Sequence, residues 1–120
     1  MSRQILRGTL VLPDRLLEGG RLVIEDGVIA AVEATAAHSA PEPGHCLIAP
    51  GFIDLLHVHG IAGADTMAAP KGSLAVMARA LAGHGVTGFL PTTVTAGLDH
   101  LAAVIGAVHG VVAANDFANQ

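Results

Sequence analysis

The sequence predicts an α/β protein in two parts: an all-β stretch over residues 1–49 and alternating β/α units over residues 50–120. Three observations predict it. Two β-branched runs flank Asp26-Gly27, a dipeptide that tolerates the positive φ angles of a tight two-residue hairpin. After residue 60 the apolar pattern changes to a helical period, with Leu74, Met77, Ala78 and Leu81 on one stripe. Between these regions lies Phe52-Ile53-Asp54-Leu55-Leu56-His57-Val58-His59-Gly60, an apolar run carrying two histidines one residue apart and stopped by glycine.

In chain order, residues 5–12 read as a strand whose internal Gly8 marks a bulge, and Pro13-Asp14 begins a turn. Arg21 to Glu33 forms the hairpin, with Glu25, Asp26 and Glu33 as solvated strand-end or turn charges. Residues 34–45 have loop composition, and His38 and His45 read as exposed loop residues. Cys46 to Ala49 resumes an apolar strand, giving about four strands before Pro50-Gly51. Gly60 to Thr66 is a small-residue loop, and a helix follows with Ser73 as N-cap and Gly83 or Gly85 as C-terminal stop. Val86 to Leu90 reads as a strand stopped by Pro91. A second helix spans Gly97 to His109, with Leu98, Leu101, Ile105 and Val108 on one stripe and Gly110 as its stop. Val111 to Ala114 opens a third strand, and the tail 115–120 carries no signal. Strand, helix, strand, helix from residue 51 onward is the order of a parallel sheet.

Composition narrows the function classes. The 120 residues are 52% hydrophobic and 13% charged, with a formal net charge of −4. Nothing basic clusters and Trp and Tyr are missing, so neither phosphate neutralisation nor base stacking supports a nucleic-acid partner. No apolar run reaches a membrane-spanning length, and a single cysteine, Cys46, allows no intrachain disulfide; the expected setting is cytoplasmic. In a regular strand, residues two apart share a face about 6–7 Å apart, so His57 and His59 are candidate ligands for one metal ion. The competing reading is a pair of histidines on a buried strand. His84 lies at the C-terminal end of the first helix, where the helix dipole favours an imidazole, and His100 and His109, without ligand neighbours at useful spacing, read as surface histidines.

Pro50-Gly51-Phe52-Ile53-Asp54 followed by His57-Val58-His59-Gly60 resembles the first-strand motif of the amidohydrolase superfamily. Gly60 to Asp65, and His84 to Thr95 with its Phe89-Leu90-Pro91-Thr92-Thr93-Val94-Thr95 string, narrow the resemblance to N-acetylglucosamine-6-phosphate deacetylases over roughly residues 5–110. The resemblance implies N-terminal β-sandwich strands followed by the first two β/α units of an incomplete TIM-type barrel. It also implies a metal-dependent hydrolase that releases acetate from an amino-sugar phosphate substrate. His57 and His59 would be metal ligands, with Asp54, Gly60, Thr92 and Thr93 in supporting positions. The metal would be divalent, zinc first, and the full-length protein a homo-oligomer. The alternatives are another amidohydrolase (dihydroorotase-, D-aminoacylase- or dipeptidase-like) and a degenerate, non-catalytic remnant.

Two departures qualify the match. The family pattern has one residue between the aspartate and the first histidine; here Leu55 and Leu56 both intervene. A regular strand would then turn Asp54 away from the histidines, whereas a β-bulge at Leu55-Leu56 would restore the phase. Strain or a bulge is the expectation, and regular alternation from Phe52 to His59 would contradict it. The second departure is length. A complete barrel takes about 250 residues, and Gly51 to Gln120 supplies the first units only. The remaining ligands and the catalytic aspartate would lie on later strands, so no catalytic residue is expected within these 120 residues and the isolated chain is expected to be inactive.

Overall fold

The structure, a computed structural model, describes residues 2–34, 46–68 and 70–114. The loop histidines His38 and His45 and the tail 115–120 lie outside the described residues. The chain divides into two compact units, Met1–Pro50 and Gly51–Gln120.

The first unit is a four-stranded sheet. β1 (Arg3–Val11), β2 (Leu16–Glu25), β3 (Val28–Ala34) and β4 (Leu47–Ile48) lie in the order β3-β2-β1-β4. The β2–β3 turn is the expected hairpin, with Asp26 at φ 48° and Gly27 at φ 81°. Both central residues therefore take the positive φ that a type I′ turn needs. The register of β1 on β2 shifts between Gly8 and Leu10, the bulge expected from Gly8. β4 pairs parallel to β1. A Cβ at Gly8 would collide with the Cys46 carbonyl, so glycine is what permits this approach.

One reading needs correction here and one is extended. β2 starts at Leu16, well before Arg21, because Gly19 and Gly20 lie inside the strand and do not break it. Glu25 and Asp26 are exposed at the strand end and turn, as expected, and Glu33 is half-buried; all three also have partners. Arg21 Nε donates to Glu33 Oε2 at 2.7 Å across directly paired strands, Arg3 lies 3.4 Å from Glu25, and Asp26 accepts the Ser2 amide at 2.7 Å.

The second unit runs β5 (Phe52–Val58), β6 (Gly60–Ile61), β7 (Ala64–Asp65), α1 (Pro70–Ala82), β8 (Val86–Pro91) and α2 (Leu98–Ala113). β5 and β8 pair in parallel, with α1 in the connection between them. Val58, Leu74, Met77, Leu81 and Val111 form its core, with Ile61, Ala64, Val86, Phe89 and Val108 packed against it. The stripe expected on α1 is the buried one.

The helix ends and the α2 stripe differ from the expectation. α1 begins at Pro70, since proline's fixed φ suits a first helical turn, and Ser73 is buried inside the helix rather than capping it. α2 continues through Gly110 to Ala113, so the expected third strand is the last turn of this helix. The buried residues of α2 are Val104 and Val111, with Leu101 and Val108 half-buried beside them. Leu98 and Ile105 are 84% and 59% exposed. No helix among the described residues is long and apolar enough to cross a membrane.

Candidate metal centre

The candidate site is the C-terminal end of β5. The strand enters from Gly51, where a Cβ would run into the Thr87 side chain; only glycine lets β5 and β8 start this close. The Phe52 amide donates to the Gly85 carbonyl at 2.8 Å. Phe52, Ile53 and Asp54 pair with Val86, Gly88 and Phe89, and the next rung is Val58 with Pro91.

The strand is therefore bulged. From Asp54 to Val58 is four steps along β5, against two steps from Phe89 to Pro91 on β8. An opposite shift between Phe52 and Ile53 takes one back, so the whole ladder from Phe52 to Val58 carries one net extra residue on β5. This is the count expected from the second leucine. His57 absorbs it in the left-handed region, at φ 52°, which a non-glycine residue seldom adopts. The Asp54 carboxylate accepts the Leu56 amide N–H at 3.2 Å within the bulge.

Beyond the bulge the strand end is held twice. Pro91 has no N–H, and the next amide, that of Thr92, donates to the Val58 carbonyl at 3.0 Å. The Thr66 amide donates to the His59 carbonyl at 2.8 Å. Gly60 opens the small β6–β7 hairpin and pairs with Asp65. The segment read as a loop is thus a hairpin, turned by Ala62 at φ 56° and Gly63 at φ 77°. Val58, 6% exposed, points into the helix-packed core, and the imidazoles on either side of it are exposed.

The supporting residues divide. Thr92 meets the strand through its backbone, while its Oγ1 is buried with no partner among the described residues. Thr93 is exposed. Asp65 caps its own turn by accepting the Met67 amide at 2.7 Å. Sequence reasoning missed Thr66, fully buried at the foot of the hairpin with its hydroxyl 3.8 Å from Met77 Sδ. Its place in a Gly- and Ala-rich stretch gave no periodic signal that could have found it. His100 and His109 are exposed, as expected, and so is His84.

The donor chemistry suits a borderline divalent ion, since neutral imidazoles bind such ions without prior deprotonation. Two donors do not complete a catalytic centre, which takes three protein ligands plus an open position. Among the described residues no group of three or more His, Cys, Asp or Glu could hold a metal.

No protein-family model matches the chain. Individual relatives do. It is 40% identical over 105 residues to N-acetylgalactosamine-6-phosphate deacetylase of Escherichia coli, which covers 88% of this chain and 27% of that protein. It is 42% identical over 89 residues to N-acetylglucosamine-6-phosphate deacetylase of Vibrio furnissii, covering 72% and 22%. The bovine enzyme of that name is 34% identical over 99 residues, covering 80% and 24%. Among solved structures, N-acetyl-D-glucosamine-6-phosphate deacetylase from Mycobacterium smegmatis, a mutant in complex with N-acetyl-D-glucosamine-6-phosphate, superposes with a TM-score of 0.68 at 28% identity. That match covers 94% of this chain and 30% of that one. The chain spans about a quarter of the length of the curated relatives it matches. By sequence and by fold, it is homologous to the N-terminal part of the N-acetylhexosamine-6-phosphate deacetylases.

Proposed function

We propose that this chain is the N-terminal portion of a metal-dependent amidohydrolase that releases acetate from N-acetylglucosamine 6-phosphate, with His57 and His59 as two of its metal ligands. The observation that carries the reading is the placement of this pair at the C-terminal end of the first strand of a parallel β/α unit. Strand C-termini are where barrels of this construction keep their chemistry. In this reading β5, α1, β8 and α2 are the first two β/α units of a TIM-type barrel, and the four-stranded sheet belongs to a β-sandwich lobe. The protein is cytoplasmic and homo-oligomeric.

When bound, the metal polarises the acetamide carbonyl and lowers the pKa of a coordinated water toward neutrality. The chain's own residues hold it. His57 and His59 each offer a ring-nitrogen lone pair. The Thr92 and Thr66 amides fix the carbonyls of Val58 and His59, so the pair is set on a backbone tied at two successive peptides. The third ligand and the general base come from later strands. Two imidazoles without them leave an ion mostly water-bound, so the isolated 120 residues do not turn over.

The test is a chimera in which this chain replaces the matching portion of the Mycobacterium smegmatis enzyme. Acetate release from N-acetylglucosamine 6-phosphate is expected, and the His57→Ala/His59→Ala double variant should abolish it. A folded, zinc-loaded chimera without turnover counts against the reading. Metal-dependent turnover by the isolated chain, lost in the double variant, overturns the assignment of the remaining groups to later strands. N-acetylgalactosamine 6-phosphate belongs in the same assay, because the Escherichia coli relative is named for that epimer. The left-handed His57 favours a second reading, a non-catalytic remnant; stoichiometric zinc binding by the chimera speaks against it.

A further inference from the structure

We infer that Asp54 is a positioning residue for His57: its carboxylate caps the bulge at Leu56 and so fixes which residue of β5 absorbs the extra length. The inference rests on the reading of His57 and His59 as a metal pair.

Between the Asp54 and Val58 rungs, Leu55, Leu56 and His57 have no ladder partner on β8. Leu55 and Leu56 are 57% and 74% exposed, so packing does not fix them either. The extra residue could in principle be taken up at any of the three. Taking it up at His57 puts a residue with a Cβ into left-handed backbone, which such residues disfavour. The fold offsets this with local ties. Downstream, the Thr92 and Thr66 amides hold the Val58 and His59 carbonyls at 3.0 and 2.8 Å. Upstream, the tie is the Asp54 carboxylate, which takes the Leu56 N–H at 3.2 Å. A short acidic side chain accepting the amide two residues on is a local turn device that competes with a regular strand. It closes the chain at Leu56 and leaves His57 as the residue that must turn. Without the cap, Leu55 and Leu56 can share the excess, and His57 returns toward extended backbone with its imidazole redirected. Asp54 thus acts through the backbone, as a hydrogen-bond acceptor rather than as a charge or a ligand.

Two measurements test this, the first on the metal-free 120-residue chain and the second on the chimera described above, which supplies the remaining ligands. Without metal, backbone NMR shifts and the intraresidue amide–Hα contact report left-handed geometry at His57. With zinc alone as probe, competition against a chromophoric chelator reports affinity. Asp54→Ala is expected to abolish the left-handed signature and weaken zinc binding about tenfold, the usual scale for groups that orient metal ligands. Asp54→Asn keeps a side-chain oxygen acceptor and is expected to preserve both. An unchanged His57 signature in Asp54→Ala overturns the inference, and so does Asp54→Asn failing as badly as Asp54→Ala, which would assign the effect to charge. If the parent chimera binds no zinc through His57 and His59, the metal reading fails, while the metal-free arm still decides the role of Asp54.

Discussion

Thr92 holds its hydroxyl inside the fold with no partner among the described residues, although its backbone amide anchors β5. A buried polar group left unpaired costs about 1–3 kcal/mol. Thr92→Val keeps the shape and removes the group, so urea unfolding is expected to show a gain of about 1 kcal/mol; a loss would mean that ordered water satisfies the hydroxyl. Ala62 carries a second local cost, at φ 56° in the first central position of the β6–β7 turn. Asn tolerates that region better, and Ala62→Asn is expected to raise the unfolding midpoint by an increment worth about 0.5 kcal/mol. The two turns show what could be read from the sequence. Asp26-Gly27 announces its geometry through residue types that favour positive φ. Ala62-Gly63 adopts the same φ pattern with an alanine, so its hairpin was hidden until the pairing of Gly60 with Asp65 was seen.

At the scale of elements, α2 contains Gly106 and Gly110 in its interior, and nothing lies within 4 Å of where a Cβ would sit at either. Glycine there costs about 0.5–1 kcal/mol relative to alanine. Gly106→Ala and Gly110→Ala are each expected to stabilise by that amount, measured as a higher thermal midpoint by circular dichroism. A drop would show that the helix ends at His109 in solution. Gly110 as a stop was a reasonable inference from composition and failed because the helix buries Val111 beyond it. Tertiary burial outweighed the local glycine preference. The stripe failed for the same reason: Leu98 and Ile105 satisfy a helical period, but the face turned into the core carries Val111, with Val104 buried on the same side. The β5 bulge was legible as a count, one residue too many before His57. Its place at Leu55-Leu56 was legible too, and the register shifts there; that the next residue, His57, takes the positive φ was not, because alternation does not encode it.

Across the whole chain, Phe52, Ile53, Leu55, Leu56 and Leu90 stand exposed on the two parallel strands, and parallel sheets are ordinarily covered on both faces. The 120-residue chain is therefore expected to self-associate, and size-exclusion chromatography with light scattering should give more than a monomer mass; a clean, stable monomer would contradict this. The order of elements and the two-part organisation were readable because strand and helix periods differ. The β6–β7 hairpin and the last turn of α2 were not, since strand pairing and burial across the unit leave no local trace. The bulge on β5 has a further consequence. It works as an expansion joint: Val58 and His59 are tied independently of the rungs before Asp54, so a residue gained or lost at Leu55-Leu56 changes the slack in the joint and leaves the tied end in place. A one-residue indel, which in an ordinary strand would reverse every side chain beyond it, is survivable at this spot, and homologues of differing spacing can share one downstream geometry.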